Sequence, residues 1–240
     1  MMLNKFVAQS GICSRRKATE LIKNGAITVN DVVITTPYHI LQPHDIVKHA
    51  NKQLSIESKL YFLYNKPQGV VCTMDDPQGR LSINDIFEEH YKERIYPVGR
   101  LDRETTGLII ITNDGNLAQK LAHPKFNIKK IYQITTLTPV HPEDFYKLQT
   151  GITLEDGFMK VDKIVYHNND QHNQVVVTIH SGRKRIVRRL FQYLGYKVTH
   201  LDRINFGGLT KKDLPLGTWR TLTYQEIMLL IGGKDNDCII

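Results

Sequence analysis

Several features of membrane, secreted and metal-binding proteins are missing from this chain. Among its 240 residues no apolar run approaches the roughly 18 that suggest a membrane-spanning helix, and the first residues lack the long apolar core of a signal peptide. The three cysteines, Cys13, Cys72 and Cys238, are scattered and form neither a disulfide framework nor a metal-binding knuckle. These absences predict a protein of a reducing cytoplasm, without a membrane partner.

Positive charge is abundant but unevenly distributed. The chain carries a net charge of +8 at pH 7 and has a pI near 9.3. Residues 1–59 contribute +4 and residues 181–220 contribute +8, whereas residues 60–180 and 221–240 contribute −2 each. Two basic blocks thus flank a nearly neutral body. They fit either ordinary solubility or a two-part contact with a polyanion such as a nucleic acid.

The first 50 residues have the pattern of a small α+β domain. Helical spacing at Leu3, Phe6 and Val7 is followed by a second helix that Ser14 caps. Short β-rich runs then predict a hairpin and a third strand, listed here by residue number: 26–29, 32–35 and 45–48. The polar residues 51–59 are predicted to be a linker.

Three cations open the second helix: Arg15, Arg16 and Lys17. Positive charge opposes the positive end of the helix dipole, and locally broken rules tend to mark functional sites. A phosphate at this position would meet three cations together with free helix N–H groups. The alternative interpretation is a solvated run of charges.

The body of the chain, residues 60–231, alternates strand and helix patterns. A strand over residues 70–73 and a helix over residues 142–150 are predicted from composition and spacing. The run Leu108–Ile111 is apolar and β-branched without alternation, which predicts a strand covered on both faces. The tail over residues 232–240 is expected to fray.

Asp102 is the leading catalytic candidate, because Arg100 and Arg103 flank it. Nearby positive charge favours the ionised carboxylate, which is the form that a nucleophile or a base needs. The alternative is an aspartate in a surface turn that is held by a structural ion pair.

A basic amphipathic helix is predicted to begin at residue 183, and Gly195 ends it. At about 100° per residue, one arc is apolar, consisting of Ile186, Val187, Leu190, Phe191 and Leu194. The opposite arc is basic and consists of Lys184, Arg185, Arg188 and Arg189.

Four motifs, in this order, resemble those of pseudouridine synthases of the Rsu/Rlu type. They are Lys66-Pro67-Gln68-Gly69, Gly99-Arg100-Leu101-Asp102 followed by Thr106-Gly107-Leu108, Lys130-Ile131-Tyr132, and Gly182 to Arg189. The last motif departs from the family pattern at Ile186, where the family commonly has Gln. The resemblance therefore implies no contact for that Gln in this chain. Residues 1–50, with Ser-Arg-Arg-Lys at 14–17, resemble the alpha-L RNA-binding domain.

The resemblance implies an α+β fold: a small N-terminal alpha-L RNA-binding domain followed by a catalytic domain with a mixed, mainly antiparallel sheet and flanking helices. It implies isomerisation of a uridine in ribosomal RNA to pseudouridine, without cofactor or metal. The target base must leave its helix or loop, so base flipping is expected.

Site roles also follow from the resemblance. Asp102 would act on the nucleoside, by attack on the sugar, attack on the ring or removal of a proton. Tyr132 would stack on the flipped uracil, and Arg188 would pair with Asp102 and keep it ionised. The remaining candidates would contact RNA, namely Arg15, Arg16, Lys17, Lys66, Arg100, Arg183, Lys184, Arg185 and Arg189.

Two rival classes are a non-catalytic RNA-binding protein of ribosome assembly and a metal-dependent nuclease. The first has no need of the Asp102 motif, and the second requires clustered carboxylates, whereas one Asp stands here between two arginines. The sequences at residues 121–124 and 151–157 look closest to large-subunit enzymes, with small-subunit enzymes as the alternative. The expected partner is ribosomal RNA or an assembly intermediate, bound by a monomer.

Overall fold

A computed structural model describes residues 1–167 and 171–232. Cys238 and the tail predicted to fray lie outside these residues, except for Gly232, which ends the last helix. The chain divides into two compact units. The first comprises residues 1–60 and 87–95, and the second comprises residues 61–86 and 96–240. In the described part of the chain, no helix is long and apolar enough to cross a membrane.

The first unit contains two helices and a small antiparallel sheet. Its elements are α1 (Leu3–Gln9), α2 (Arg15–Lys23), β1 (Ile27–Val29), β2 (Val32–Val33), β3 (Val47–His49) and β4 (Lys52–Gln53). The strand order is β2-β1-β3-β4. Ser14 Oγ accepts a hydrogen bond from the Lys17 amide (3.2 Å), so α2 begins at the expected cap. Asn30 and Asp31 have the positive φ angles of a tight hairpin turn.

The boundaries of this unit differ from the predicted domains. Strand β4 pairs with β3, so residues 52 and 53 belong to the sheet rather than to the predicted linker. Residues 87–95, which were assigned to the catalytic body, group with the N-terminal unit. The pattern missed β4 because a two-residue polar strand is defined by its partner and not by its own composition.

The second unit contains the remaining strands and helices. Its strands are β5 (Tyr61–Lys66), β6 (Tyr96–Pro97), β7 (Thr106–Thr112), β8 (Lys130–Thr136), β9 (Ile152–Leu154), β10 (Gly157–Met159), β11 (Lys163–Tyr166), β12 (Gln174–Ile179), β13 (Val198–Phe206), β14 (Leu209–Thr210) and β15 (Trp219–Thr221). Its helices are α4 (Gly115–Ala122), α5 (Pro142–Thr150), α6 (Ile186–Tyr193) and α7 (Tyr224–Gly232), with a 3₁₀ turn at Pro124–Phe126. Helix α3 (Ile83–Glu88) starts in this unit and ends in the segment that groups with the first.

One mixed sheet forms the frame of the second unit. Its order is β11-β12-β8-β13-β7-β5-β15, with β14 on β13 and β6 on β7, which makes nine strands among the described residues. The β13–β7 pair is parallel and the other pairs are antiparallel. Strands β9 and β10 form a separate hairpin. The predicted mixed, mainly antiparallel sheet with flanking helices is therefore confirmed.

Strand β7 lies in the middle of this sheet. All seven of its residues are buried, including the apolar run Leu108–Ile111 that was predicted to be covered on both faces. Leu108 and Ile110 join a core cluster with residues of α4 and α7. At Gly107 (φ +106°), a Cβ atom would lie 2.4 Å from the Arg203 carbonyl oxygen. Glycine thus permits the close approach of β13, which carries Arg203 beside the loop of Asp102.

Two local predictions are wrong. Residues 70–73 form no strand, and only a bridge joins Val71 to Ser82 within this described segment. Helix α6 begins at Ile186 rather than at residue 183, because Arg185 adopts a left-handed conformation (φ 50°) immediately before it. The buried residues of α6 are Ile186, Val187, Leu190 and Phe191, as expected, whereas Leu194, predicted in the same arc, is the C-cap and is only partly buried.

Candidate active site

A cleft of about 490 Å³ opens in the second unit, and we call it the central cleft. The loop between β6 and β7 forms one wall, and residues 181–187 at the start of α6 form another. Side chains of β8 and β13 also line it. The lining residues used below are Arg100, Asp102, Lys130, Tyr132, Arg185 and Arg203.

Asp102 lies in the loop that leads into β7, and its side chain is 30% exposed. The loop is held by its own backbone, because the Asp102 carbonyl accepts a hydrogen bond from the Thr105 amide (3.0 Å). The Gly69 amide also donates to the Arg103 carbonyl (2.8 Å), which ties the Lys66-Pro67-Gln68-Gly69 motif to this loop. Two motifs that are far apart in sequence therefore support the same carboxylate.

Arg185 is the arginine beside Asp102. Its Nη1 atom lies 3.7 Å from Asp102 Oδ2, and its Nη2 atom lies 3.8 Å from Glu104 Oε2. Both distances are those of ion pairs rather than of short hydrogen bonds. The left-handed conformation of Arg185 ends the loop before α6, so this side chain does not follow the helical spacing assumed in the sequence analysis.

The predicted pairing of Arg188 with Asp102 is therefore wrong. Arg188 donates to the carbonyl oxygens of Val198 (3.1 Å) and Glu104 (3.5 Å). Its buried Nε has no hydrogen-bond partner among the described residues. Burial and the nearby Arg185 lower the pKa of Arg188, whereas Glu104 and Asp102 oppose that shift. Arg188 thus fastens the Asp102 loop to the start of β13.

Tyr132 lines the cleft, as expected, and is 8% exposed. Its hydroxyl oxygen accepts a hydrogen bond from Arg203 Nη1 (3.4 Å), and the two residues are cross-strand partners on β8 and β13. Arg203 Nε also donates to the Leu108 carbonyl (2.6 Å), and its guanidinium carbon lies 4.5 Å from the centre of the Phe206 ring. Arg203 was not predicted from the sequence, although a lone arginine in a predicted strand was a signal.

Lys130 is a second buried cation of the cleft wall. It is 8% exposed, and its Nζ donates to the carbonyls of Ile128 (3.1 Å) and His180 (3.2 Å). Burial, followed by the nearby Arg203 guanidinium, lowers the pKa of Lys130 to about 8. Lys130 belongs to the motif Lys130-Ile131-Tyr132, but no role was predicted for it from the sequence.

Lys66 cannot be the RNA contact that the sequence analysis expected. The residue is fully buried, and its Nζ donates to the carbonyls of Pro67 (2.8 Å) and Val70 (3.0 Å). Burial lowers the pKa of Lys66, while Cys72 and Asp102 act in the opposite direction. The motif could not reveal this, because β5 continues through Lys66 and carries the side chain into the interior.

The other predicted RNA contacts fall into two groups in this unit. Arg100 and Lys184 are exposed and line the central cleft. Arg189 instead donates two hydrogen bonds to Asp156 in the β9–β10 hairpin, one from Nη1 at 2.9 Å and one from Nη2. Arg183 Nη1 lies 3.9 Å from the same carboxylate and donates to the carbonyls of residues 157 and 158 (3.3 Å each).

In the first unit, Arg15, Arg16 and Lys17 are exposed on the first turn of α2, as expected. They lie at the amide end of the helix, which is the arrangement that favours an anion. Among residues 1–167 and 171–232, no group of three or more His, Cys, Asp and Glu side chains is arranged to hold a metal ion.

Comparison with known proteins identifies the family. Residues 60–193 match the RNA pseudouridylate synthase model, and residues 1–47 match the S4 domain model. The ribosomal large subunit pseudouridine synthase B of Bacillus subtilis (strain 168) is 38% identical over 232 residues, which span 95% of this chain and 94% of that protein. An uncharacterized RNA pseudouridine synthase of Aquifex aeolicus (strain VF5) is 36% identical, spanning 95% of this chain and 92% of that protein. A crystal structure of a pseudouridylate synthase matches with a TM-score of 0.69 at 31% identity, covering 96% of this chain and 99% of that one.

An S4 domain joined to a pseudouridylate synthase body defines an RNA-acting isomerase with its own RNA-binding domain. The chain belongs to the RNA pseudouridylate synthase family. The resemblance found in the four motifs, and the N-terminal RNA-binding domain expected from residues 1–50, are both confirmed.

Proposed function

We propose that this protein isomerises a specific uridine of large-subunit ribosomal RNA to pseudouridine, acting as a monomer in the bacterial cytoplasm. Family membership supports the reaction, and the Bacillus subtilis relative, named as a large-subunit enzyme, supports the subunit. Free ribosomal RNA or an assembly intermediate would be the substrate. The alternative that remains within the family is a uridine of the small subunit.

One observation carries the proposal: a partly exposed carboxylate lines a cleft whose charged lining residues are mostly cations. Asp102 has Arg185 beside it at 3.7 Å, and a carboxylate here can attack the nucleoside or remove a proton. The cleft volume of about 490 Å³ falls within the range of about 300–1,000 Å³ typical of small-molecule sites. A single flipped nucleoside is a ligand of this class.

Other residues would bind the RNA in different ways. Tyr132 forms a wall against which a flipped uracil would stack. Arg100 and Lys184 are exposed at the cleft and would contact the phosphates beside the target. The α2 cations would add contacts that position the RNA without reading its bases.

Replacement of Asp102 by Asn tests the assignment. We expect Asp102→Asn to abolish tritium release from ribosomal RNA labelled at carbon 5 of uridine, with RNA affinity almost unchanged, because the change removes the reactive charge and little volume. Asp75→Asn is the matched control, because Asp75 is an exposed aspartate outside the cleft lining. Turnover near wild type in Asp102→Asn would refute the catalytic assignment of Asp102, whereas absence of tritium release from the wild-type protein would favour the rival class, a non-catalytic assembly protein.

Mapping pseudouridine in ribosomal RNA from cells with and without this protein identifies the target. We expect one site in the large-subunit RNA to lose its modification in the deletion strain. Loss of a small-subunit site would instead establish the alternative substrate.

A further inference from the structure

Arg203 carries a donor that the fold does not use. Two of its three nitrogens have acceptors, Nε at the Leu108 carbonyl and Nη1 at the Tyr132 hydroxyl. The third, Nη2, is buried and has no hydrogen-bond partner within the described residues. The whole residue is 2% exposed, and it contributes to the lining of the central cleft.

A buried guanidinium nitrogen without an acceptor is costly, so its presence calls for an explanation. The charge around it increases the cost, because two buried cations lie near enough that the Arg203 guanidinium contributes to lowering the pKa of each, namely Lys66 and Lys130. Of the carboxylates that line the described cleft, Asp76 is bound by Arg80, which leaves Asp102 at the rim. Among the described residues that line the cleft, cations therefore outnumber carboxylates.

We propose that Arg203 Nη2 donates a hydrogen bond to a carbonyl oxygen of the uracil that enters the central cleft. This inference rests on the proposed function and adds a base-contacting residue to it. The bond from Nη1 to Tyr132 links the residue that would stack on the base to the one that contacts its edge. Phe206, under the guanidinium, keeps the donor plane in place.

The same contact explains why a cation is placed here rather than a neutral donor. When the bond between N1 and C1′ breaks with its electron pair remaining on the base, negative charge spreads onto the uracil carbonyl oxygens. A new bond then joins C5 to C1′, the C5 proton leaves and N1 takes one up, so the isomerisation consumes no co-reactant. A preorganised cationic donor binds the charged base more strongly than the neutral base, which accelerates the reaction.

Kinetics of Arg203→Lys and Arg203→Met test this contact. We expect kcat at saturating RNA to fall about 100-fold or more in Arg203→Met, the size typical of losing one donor to a developing oxyanion. Arg203→Lys should recover only part, since Lys keeps the charge but not the guanidinium geometry. RNA affinity and its salt dependence should stay as in wild type, because no phosphate contact is lost. Lys163→Met, an exposed cation on β11 outside the cleft lining, is the control and should keep wild-type kcat.

Several results would overturn the inference. A wild-type kcat in either variant would mean that Nη2 does not contact the reacting base. The slope of log binding constant against log salt concentration is the salt slope, and a decrease of about 0.7 or more in its magnitude would mean that Arg203 contacts a phosphate. Failure of both variants to fold, judged by thermal melting, would give the side chain a purely structural role. Absence of tritium release from the wild-type protein would instead disprove the proposed function itself.

Discussion

The two arginines near Asp102 make different kinds of interaction. Arg185 contacts the carboxylate through a long ion pair and is 41% exposed, whereas Arg188 bonds to backbone carbonyls of Glu104 and Val198. The first interaction compensates charge at the reacting group. The second maintains the geometry of the loop, so the two arginines should respond differently to substitution.

We expect Arg185→Ala to lower kcat about tenfold or more, because it removes the positive charge nearest to Asp102. Arg185→Lys should recover part of kcat, because one ion pair at 3.7 Å needs a charge rather than a guanidinium fork. Arg188→Ala should mainly lower the melting temperature, because it removes two hydrogen bonds that join the Asp102 loop to the start of β13. Single-turnover kinetics at saturating RNA and thermal melts separate these effects. A kcat loss confined to Arg188→Ala, with normal melting, would restore the assignment made from the sequence.

Lys130 predicts a stability that increases with pH. Its pKa is lowered to about 8 in the fold from a usual 10.5, so between these values the unfolded chain binds more protons than the folded one. The free energy of unfolding of wild type, measured relative to that of Lys130→Met, should therefore increase by about 2 kcal/mol between pH 8 and pH 10. This figure follows from about 1.4 kcal/mol per unit of pKa difference. Urea titrations of both proteins measure this difference. A difference that does not change with pH would contradict it.

The stability comparison stops at pH 10 because the buried tyrosines lower the free energy of unfolding as the pH rises further. Burial raises the pKa of Tyr61 and of Tyr64 to about 12, so the unfolded chain loses these protons first. Their contribution to stability is lost between pH 10 and pH 12. The comparison with Lys130→Met cancels this effect in both proteins.

The sequence placed Asp102 and Tyr132 in the cleft because their motifs are short and local. It could not place Arg185, whose direction depends on one left-handed residue at the start of α6. The burial of Lys66 depends on how far β5 extends. Arg203 gains its partners from β7 and β8, at least 71 positions away in the chain, and no local pattern records such contacts.

At the scale of elements, the β9–β10 hairpin occupies arginines that the sequence assigned to RNA. Asp156 accepts both Arg189 hydrogen bonds and lies near Arg183. Arg189 lowers the pKa of Asp156 through those hydrogen bonds, so the carboxylate stays ionised down to low pH. An exposed pair of this kind contributes little to stability, because solvent screens it, so RNA phosphates can compete for the arginines.

We expect Asp156→Asn to tighten RNA binding at low salt and to steepen the salt slope by about 0.7–0.9, because it releases a cation for one more phosphate. Glu155→Gln is the matched control, since it removes the same charge from an exposed neighbour that accepts neither bond. Filter binding across a salt series measures both. Weaker binding by Asp156→Asn would mean that the hairpin positions the arginines for RNA instead of occupying them.

Elements themselves were predictable where they are long and packed. Helix α5 has the predicted bounds, and β7 contains the predicted run Leu108–Ile111. Strands β4, β9 and β10 were missed, because each has only two or three residues and is stabilised by its pairing partner.

At the scale of the whole molecule, the two basic blocks belong to different units. The α2 cations lie in the first unit, whereas the α6 arginines lie in the second. RNA binding that uses both blocks should therefore show separable contributions, one that changes affinity alone and one that also affects turnover.

Replacing Arg15, Arg16 and Lys17 together by Ala should weaken RNA binding and reduce the salt slope by about 2–3, at roughly 0.7–0.9 per contact. Turnover at saturating RNA should persist. The variant should also melt slightly higher, since each removed cation opposed the helix dipole by about 0.3–1 kcal/mol. Lys23→Ala, an exposed cation in the last turn of α2, is the control. An unchanged salt slope in the triple variant would refute the phosphate contact.

The grouping of residues 87–95 with the first unit makes the protein poorly divisible. Phe87 and Ile95 are both buried, and Arg94 is near enough to Cys13 to affect its pKa. A ribosome making this chain must therefore translate residue 95 before both stretches of the first unit exist. Recombination with a single crossover near residue 60 would transfer the first unit without residues 87–95. Grafting the whole unit elsewhere would require residues from two places in the gene.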